Sequence, residues 1–217
     1  MPEPFNPLDK IHLGESIREA LLRQDARPLS NRNQFDGAGI YAIYYVGTYP
    51  AYELIAEKNA GGRFELPIYV GKAVPAGARK GGLLGNATTT ALAKRIREHA
   101  NTIAEAENLT LEDFYVRHLV VDDIWIPLGE TLLIHSFAPV WNKIVNGFGN
   151  HTPGKGRNKQ CVSAWDMLHP GRMWVNNLGL PLNPQSQQQW IEHVREYLLL
   201  PREVQASVPT VETGDES

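Results

Sequence analysis

Glu130 is the most informative position for chemistry. In the stretch 126–137, Ile126, Leu133, Ile134 and Phe137 recur at helical spacing and form one apolar stripe. At about 100° per residue, Glu130 falls inside that stripe, one turn after Ile126. An ionised carboxylate on a core-facing stripe is costly unless it is paired or holds a cation. Two readings follow: a structural ion pair, or an oxygen ligand for magnesium, which often takes one or two carboxylates plus substrate phosphates. Arg95 and His99 form a second constellation. Four residues apart, they share one side of a helix, while Arg97 points nearly the other way. A guanidinium and an imidazole on one face suit an anionic transition state; a surface-paired helix would place them there too. Tyrosines supply the third. In GIYAIYYV, period-two alternation puts Tyr41, Ile43 and Tyr45 on one face and Ile40, Ala42, Tyr44 and Val46 on the other. In PIYVGK, Tyr69 is set opposite Ile68 and Val70, with Gly71 and Lys72 following. Such strands are ordinary core. A tyrosine titrates near 10, so acting as a base at neutral pH requires a nearby cation or hydrogen-bond acceptor, for which Lys72 and His99 are the candidates.

The elements that must position these groups can be read along the chain. Residues 1–12 are an irregular lead-in, and Glu15–Gln24 has the spacing of a short packing helix. Gly39–Val46 and Pro67–Lys72 read as strands, with a helix at Ala51–Asn59 between them. A glycine-rich loop, AVPAGARKGGLLGN, follows the second strand and is too long for an idle connection. Thr89–Ala104 is a helix with Leu92, Ile96, Ala100 and Ile103 along one side. Phe114–Val121 is a third strand, and Ile126–Phe137 a helix stopped before Pro139. Ser163–Trp174 and Gln185–Leu200 read as helical, and the tail as disordered. The class is therefore α/β (α+β): a small mixed three-stranded sheet flanked by helices. The expected organisation is a lead-in and helix at 1–36, a core at 37–174, a helix at 175–200 and a disordered tail at 201–217.

Composition narrows the function. The chain has 217 residues, of which 42% are hydrophobic and 21% charged, as in a globular protein. No apolar run is long enough to span a bilayer, and the first residues lack a signal-peptide pattern, so no membrane partner is expected. One cysteine, Cys161, allows no intramolecular disulfide, and the expected compartment is a reducing cytoplasm. The formal net charge of −3 conceals two basic, glycine-rich segments. Lys72, Arg79, Lys80, Lys94, Arg95 and Arg97 face only Glu98 between 72 and 99. Lys143, Lys155, Arg157, Lys159 and Arg172 face only Asp166 between 143 and 172. These segments are either a phosphate-binding face or solvated loops.

GIY at Gly39–Tyr41 and YVG at Tyr69–Gly71 resemble the two half-motifs of the GIY-YIG nucleases. Arg95, His99, Glu130 and Asn142 follow in the order that family uses. The gap between the half-motifs is wide and looks like an inserted helix. LPIYVGKAVPAG, RIREH, PVWNKIVNGFGNHTPGKGR and WDMLHPGRMW further resemble the restriction-enzyme branch that cuts CCGCGG; this likeness runs from about Gly37 to Trp174. The resemblance implies a GIY-YIG fold with inserted and C-terminal DNA-binding elements, and a type II restriction endonuclease of double-stranded DNA. It implies a homodimer on DNA, two-nucleotide 3′ extensions and a bacterial host carrying a protective cytosine DNA methyltransferase. It implies Tyr41 as general base with His99 accepting or relaying the proton, and Glu130 holding one Mg2+ per active site. Arg95 would stabilise the transition state, Tyr69 and Lys72 would orient Tyr41 and the phosphate, and Asn142 would brace the site near Glu130. Arg79, Lys80, His151, Lys155, Arg157 and Arg172 are the expected DNA contacts. The competing readings are a monomeric repair or homing nuclease of the same superfamily, and a catalytically silent DNA-binding module.

Overall fold

The strand carrying GIY, β2 (Gly39–Tyr45), is buried along its whole length because helices cover both faces of the sheet. The computed structural model describes residues 9–31, 33–75, 89–150 and 161–211. Before β2 come α1 (Lys10–Leu22) and β1 (Arg27–Pro28); after it come α2 (Glu53–Asn59) and β3 (Pro67–Ala73). Then follow α3 (Ala91–Ala104), β4 (Phe114–Val120), α4 (Ile126–Phe137) and the short α5 (Val140–Lys143). The chain continues through α6 (Ala164–Leu168), α7 (Met173–Leu178), α8 (Gln187–Leu199) and α9 (Arg202–Ser207).

The alternation along β2 divides the core as its sequence requires. Tyr41, Ile43 and Tyr45 join one apolar cluster with Leu92 and Ile96 of α3, Trp141 of α5, Trp165 of α6 and Val194 of α8. Ile40, Ala42 and Tyr44 join the other, with Leu21 of α1 and Ile126, Leu133 and Phe137 of α4. On α3 the expected stripe of Leu92, Ile96, Ala100 and Ile103 is buried.

Four expectations are corrected. Among the described residues the sheet has four strands in the order β1-β4-β2-β3, and every pairing in it is antiparallel, where a mixed three-stranded sheet was expected. β1 escaped notice because it is two residues long, too short to show periodicity. Ile68 packs in the same cluster as Tyr69 rather than opposite it, because the β2–β3 register shifts between Ile43 and Tyr44. A bulge of this kind cancels the period-two rule locally. The helix expected over Ser163–Trp174 breaks into α6 and α7, since the residue preceding Pro170 disfavours helical backbone.

The tail is the fourth. Residues 201–211, expected to be disordered, are docked beside α5. Lys143 Nζ donates to the carbonyls of Ala206 and Val208 at 3.1 and 2.7 Å. The Val211 amide donates to the Asn142 carbonyl at 2.8 Å. Satisfied backbone groups hold this segment, and they leave no signature in hydrophobic pattern.

Candidate active site

The antiparallel register sets Tyr41 of β2 directly across from Gly71 of β3. A Cβ on Gly71 would lie 2.6 Å from Tyr41 Cζ and 2.9 Å from Tyr69 Cε1, and closer still to the Tyr41 hydroxyl. Glycine here gives the Tyr41 ring room to lie across β3. The ring reaches α3, where its hydroxyl meets His99 Nε2 at 2.6 Å, with both residues buried. Tyr69 completes an aromatic group, its ring 6.3 Å from that of Tyr41 and 5.2 Å from that of His99.

Burial lifts the Tyr41 hydroxyl well above the ordinary tyrosine range; Arg95 pulls it down and Glu130 pushes it up. Arg95 and Tyr69 also hydrogen-bond to the Tyr41 hydroxyl and ease this shift without reversing it. Tyr69 is raised for the same first reason, burial. Three groups from two elements, α3 and β3, therefore surround one phenolic oxygen: a ring nitrogen, a guanidinium and a second phenol. Arg95 is also held by Glu98, at 3.1 Å from Nη1, and its Nη2 lies 3.5 Å from the Gly149 carbonyl.

Glu130 sits in the apolar stripe of α4, as its spacing required, and is 9% exposed. Lys72 lies across from Ile40 in the β2–β3 register, and its Nζ meets Glu130 Oε2 at 2.6 Å. Burial nevertheless raises the Glu130 carboxyl above its usual range, against the opposing effect of Lys72. Although α4 packs on the sheet face opposite Tyr41, the Glu130 charge still acts on Tyr41 and Tyr69.

The donor set bears on which metal fits. No cluster of three or more acidic, histidine or cysteine side chains exists among the described residues. A single recessed carboxylate that burial has left strained suits magnesium, which keeps several waters and shares phosphate oxygens with its substrate.

Asn142 is placed differently from the expectation. Its side chain clamps the backbone of Val70, between Tyr69 and Gly71: Oδ1 accepts from the Val70 amide at 2.8 Å and Nδ2 donates to the Val70 carbonyl at 2.9 Å. It braces edge strand β3 rather than Glu130 itself. Arg172 is a clearer correction. Instead of facing solvent, it is 2% exposed, with Nε on Asp166 Oδ1 at 2.6 Å and its other nitrogens on backbone carbonyls. Arg79, Lys80, His151, Lys155 and Arg157 lie outside the described residues.

Some neighbours were not anticipated. Phe148 stacks on His99 with ring centroids 4.6 Å apart and planes 14° from parallel. The one hint was the flanking glycines of NGFGN, which suggested only a loop. Behind it, Tyr52 and His169 form a second buried tyrosine–histidine contact at 2.7 Å, joined by Trp141 Nε1 and Asn108.

A model of the Eco29kI GIY-YIG domain matches residues 33–198. The chain belongs to that family. No curated protein matches it. As an Eco29kI-type GIY-YIG domain it is a nuclease acting on DNA, and its fold, a small antiparallel sheet between helices, agrees. Among the described residues, no helix is long and apolar enough to cross a membrane. In this GIY-YIG domain the two half-motifs are adjacent antiparallel strands, from which Tyr41 reaches His99 of α3 and Lys72 reaches Glu130 of α4.

Proposed function

We infer that this GIY-YIG domain is a type II restriction endonuclease cutting duplex DNA at a palindrome, with one magnesium ion per active site, as a homodimer on DNA in a bacterial cytoplasm. The observation that carries the reading is the 2.6 Å contact between the Tyr41 hydroxyl and His99 Nε2, within the fields of Arg95 and Glu130.

Burial keeps Tyr41 protonated at neutral pH, and its hydroxyl can donate to His99 Nε2 whenever that nitrogen carries no proton. A phenol held this way can take a proton from attacking water as its own proton passes to His99, so no free phenolate need accumulate. Tyr69 orients the Tyr41 oxygen. Arg95 faces the charge that develops on the phosphate. Glu130 would hold the ion, with Lys72 beside it for the phosphate. Bound there, magnesium would polarise the phosphate and ease departure of the 3′ oxygen. Asn142 keeps β3, and with it Tyr69 and Gly71, in register.

Among the described residues there is one such site, whereas a double-strand break needs two. A two-fold dimer on a palindrome supplies the second. The core at 37–174 carries the chemistry, and Arg79, Lys80, His151, Lys155 and Arg157 are its proposed DNA contacts. The resemblance of LPIYVGKAVPAG and NGFGNHTPGKGR to the CCGCGG-cutting branch supports that site, with two-nucleotide 3′ extensions and a protective cytosine methyltransferase in the host. The test is digestion of a plasmid of known sequence with and without magnesium, the ends mapped by run-off sequencing. Magnesium-dependent cuts confined to CCGCGG are expected. Defined cuts at another palindrome would remove the specificity, and random nicking would remove the restriction reading.

A further inference from the structure

The segment 146–150 carries two contacts to the catalytic face of α3. Phe148 stacks on His99, and the Gly149 carbonyl lies 3.5 Å from Arg95 Nη2. What holds this segment is unusual for a loop. The Ala164 amide donates to Asn146 Oδ1 at 2.9 Å, and the Trp165 amide to the Asn146 carbonyl at 3.0 Å. Arg172 then ties its other end: Nη2 donates to the Gly147 carbonyl at 3.0 Å and Nη1 to the Asn150 carbonyl at 3.1 Å. Gly147 has φ +101°, and a Cβ there would strike the Ser163 side chain.

The Arg172 guanidinium is anchored in turn. Its Nε donates to Asp166 Oδ1 at 2.6 Å, and Ser163 Oγ donates to Asp166 Oδ2 at 2.6 Å. It lies over the rings of Trp165 and Trp174, 4.6 and 5.0 Å from their centroids. Burying a guanidinium is costly, and here three of its nitrogens are matched to acceptors. Two of those acceptors belong to a segment that touches both His99 and Arg95.

We propose that Arg172 is a positioning residue for the reaction: through Gly147–Asn150 it sets the plane of His99, by way of Phe148, and the lie of the Arg95 guanidinium. This rests on the reading of His99 and Arg95 as catalytic groups. A misplacement of about 1 Å remote from the chemistry can cost on the order of a hundredfold in rate.

Arg172→Lys retains a cation beside Asp166 but offers one nitrogen to three separated acceptors. In single-turnover cleavage of a duplex bearing the mapped site, its kcat is expected to fall roughly 10- to 100-fold, within that range. DNA affinity should be unchanged, and the His99 ring signals in heteronuclear NMR should move as the Phe148 ring current changes. Wild-type kcat with unmoved His99 signals overturns the proposal. So does a loss confined to DNA affinity, which would return Arg172 to the DNA contacts. If Arg172→Lys does not fold, Phe148→Leu decides: lowered kcat with a shifted His99 signal supports the strut, and neither change overturns it. His99→Ala in the same assay separates the two claims. Full activity there removes the catalytic reading of His99, while the His99 signals of Arg172→Lys still report on positioning.

Discussion

The Tyr41 hydroxyl and His99 Nε2 lie 2.6 Å apart although 58 positions separate them in the chain. A strand of the half-motif pair and a helix beyond β3 meet at one buried hydrogen bond. In the proposed mechanism each residue gives the other a role that neither has alone, because a buried tyrosine far above its usual titration range needs an acceptor to act as a base.

Removing the hydroxyl tests that bond. Tyr41→Phe keeps the ring in its cluster, so the variant should fold, and kcat should drop by about 10²–10⁴ as expected for loss of general-base catalysis. His99→Ala should show a comparable fall. Full activity in Tyr41→Phe beside a dead His99→Ala would transfer the base to His99.

Glu130→Gln is predicted to bind DNA and not cleave it, since an amide is a poor magnesium ligand. Gel shift and plasmid cleavage, each with a magnesium titration, check both halves. Near-wild-type cleavage would return Glu130 to a structural ion pair with Lys72.

Gly71→Ala separates packing from chemistry. The added methyl would sit 2.6 Å from Tyr41 Cζ, so the ring must move. Overpacking of this kind costs roughly 1–3 kcal/mol, and thermal melting should record it. Cleavage should fall further than stability, because the displaced ring carries the hydroxyl away from His99. A variant that melts lower and cleaves normally would show that Tyr41 tolerates displacement.

His169 makes the fold sensitive to acid. Burial, aided by Arg172, depresses its imidazole from 6.5 to about 3, so the folded protein keeps it neutral. Below about 6.5 the unfolded chain takes up a proton that the native state refuses. Stability is therefore full above that pH and is lost progressively as pH falls toward 3, at up to about 1.4 kcal/mol per pH unit for one proton. Urea unfolding between pH 4 and 8 should show this slope in the wild type and a shallower one in His169→Gln. Parallel slopes in the two proteins would mean that His169 is not the group responsible.

Much of this was legible in sequence because it depends on short-range periodicity. Alternation along GIYAIYYV placed Tyr41 and Tyr44 on opposite faces, and spacing of about 3.6 put Glu130 in the stripe of α4 and His99 on one side with Arg95. Lys72 and Glu130 were both singled out, yet only the β2–β3 register and the packing of α4 made them partners. Arg172 shows the limit of composition. In a basic, glycine-rich segment it read as a phosphate contact, but α6 sets Asp166 and Trp165 against it, and a guanidinium so enclosed serves the backbone of 147–150. Phe148 gave only the hint of its flanking glycines, and the docked residues 201–211 gave none, since ring stacking and backbone hydrogen bonds across the fold are not periodic in the chain. Local pattern decides which face a side chain presents; which group it meets there is decided by long-range pairing, which only the folded chain brings together.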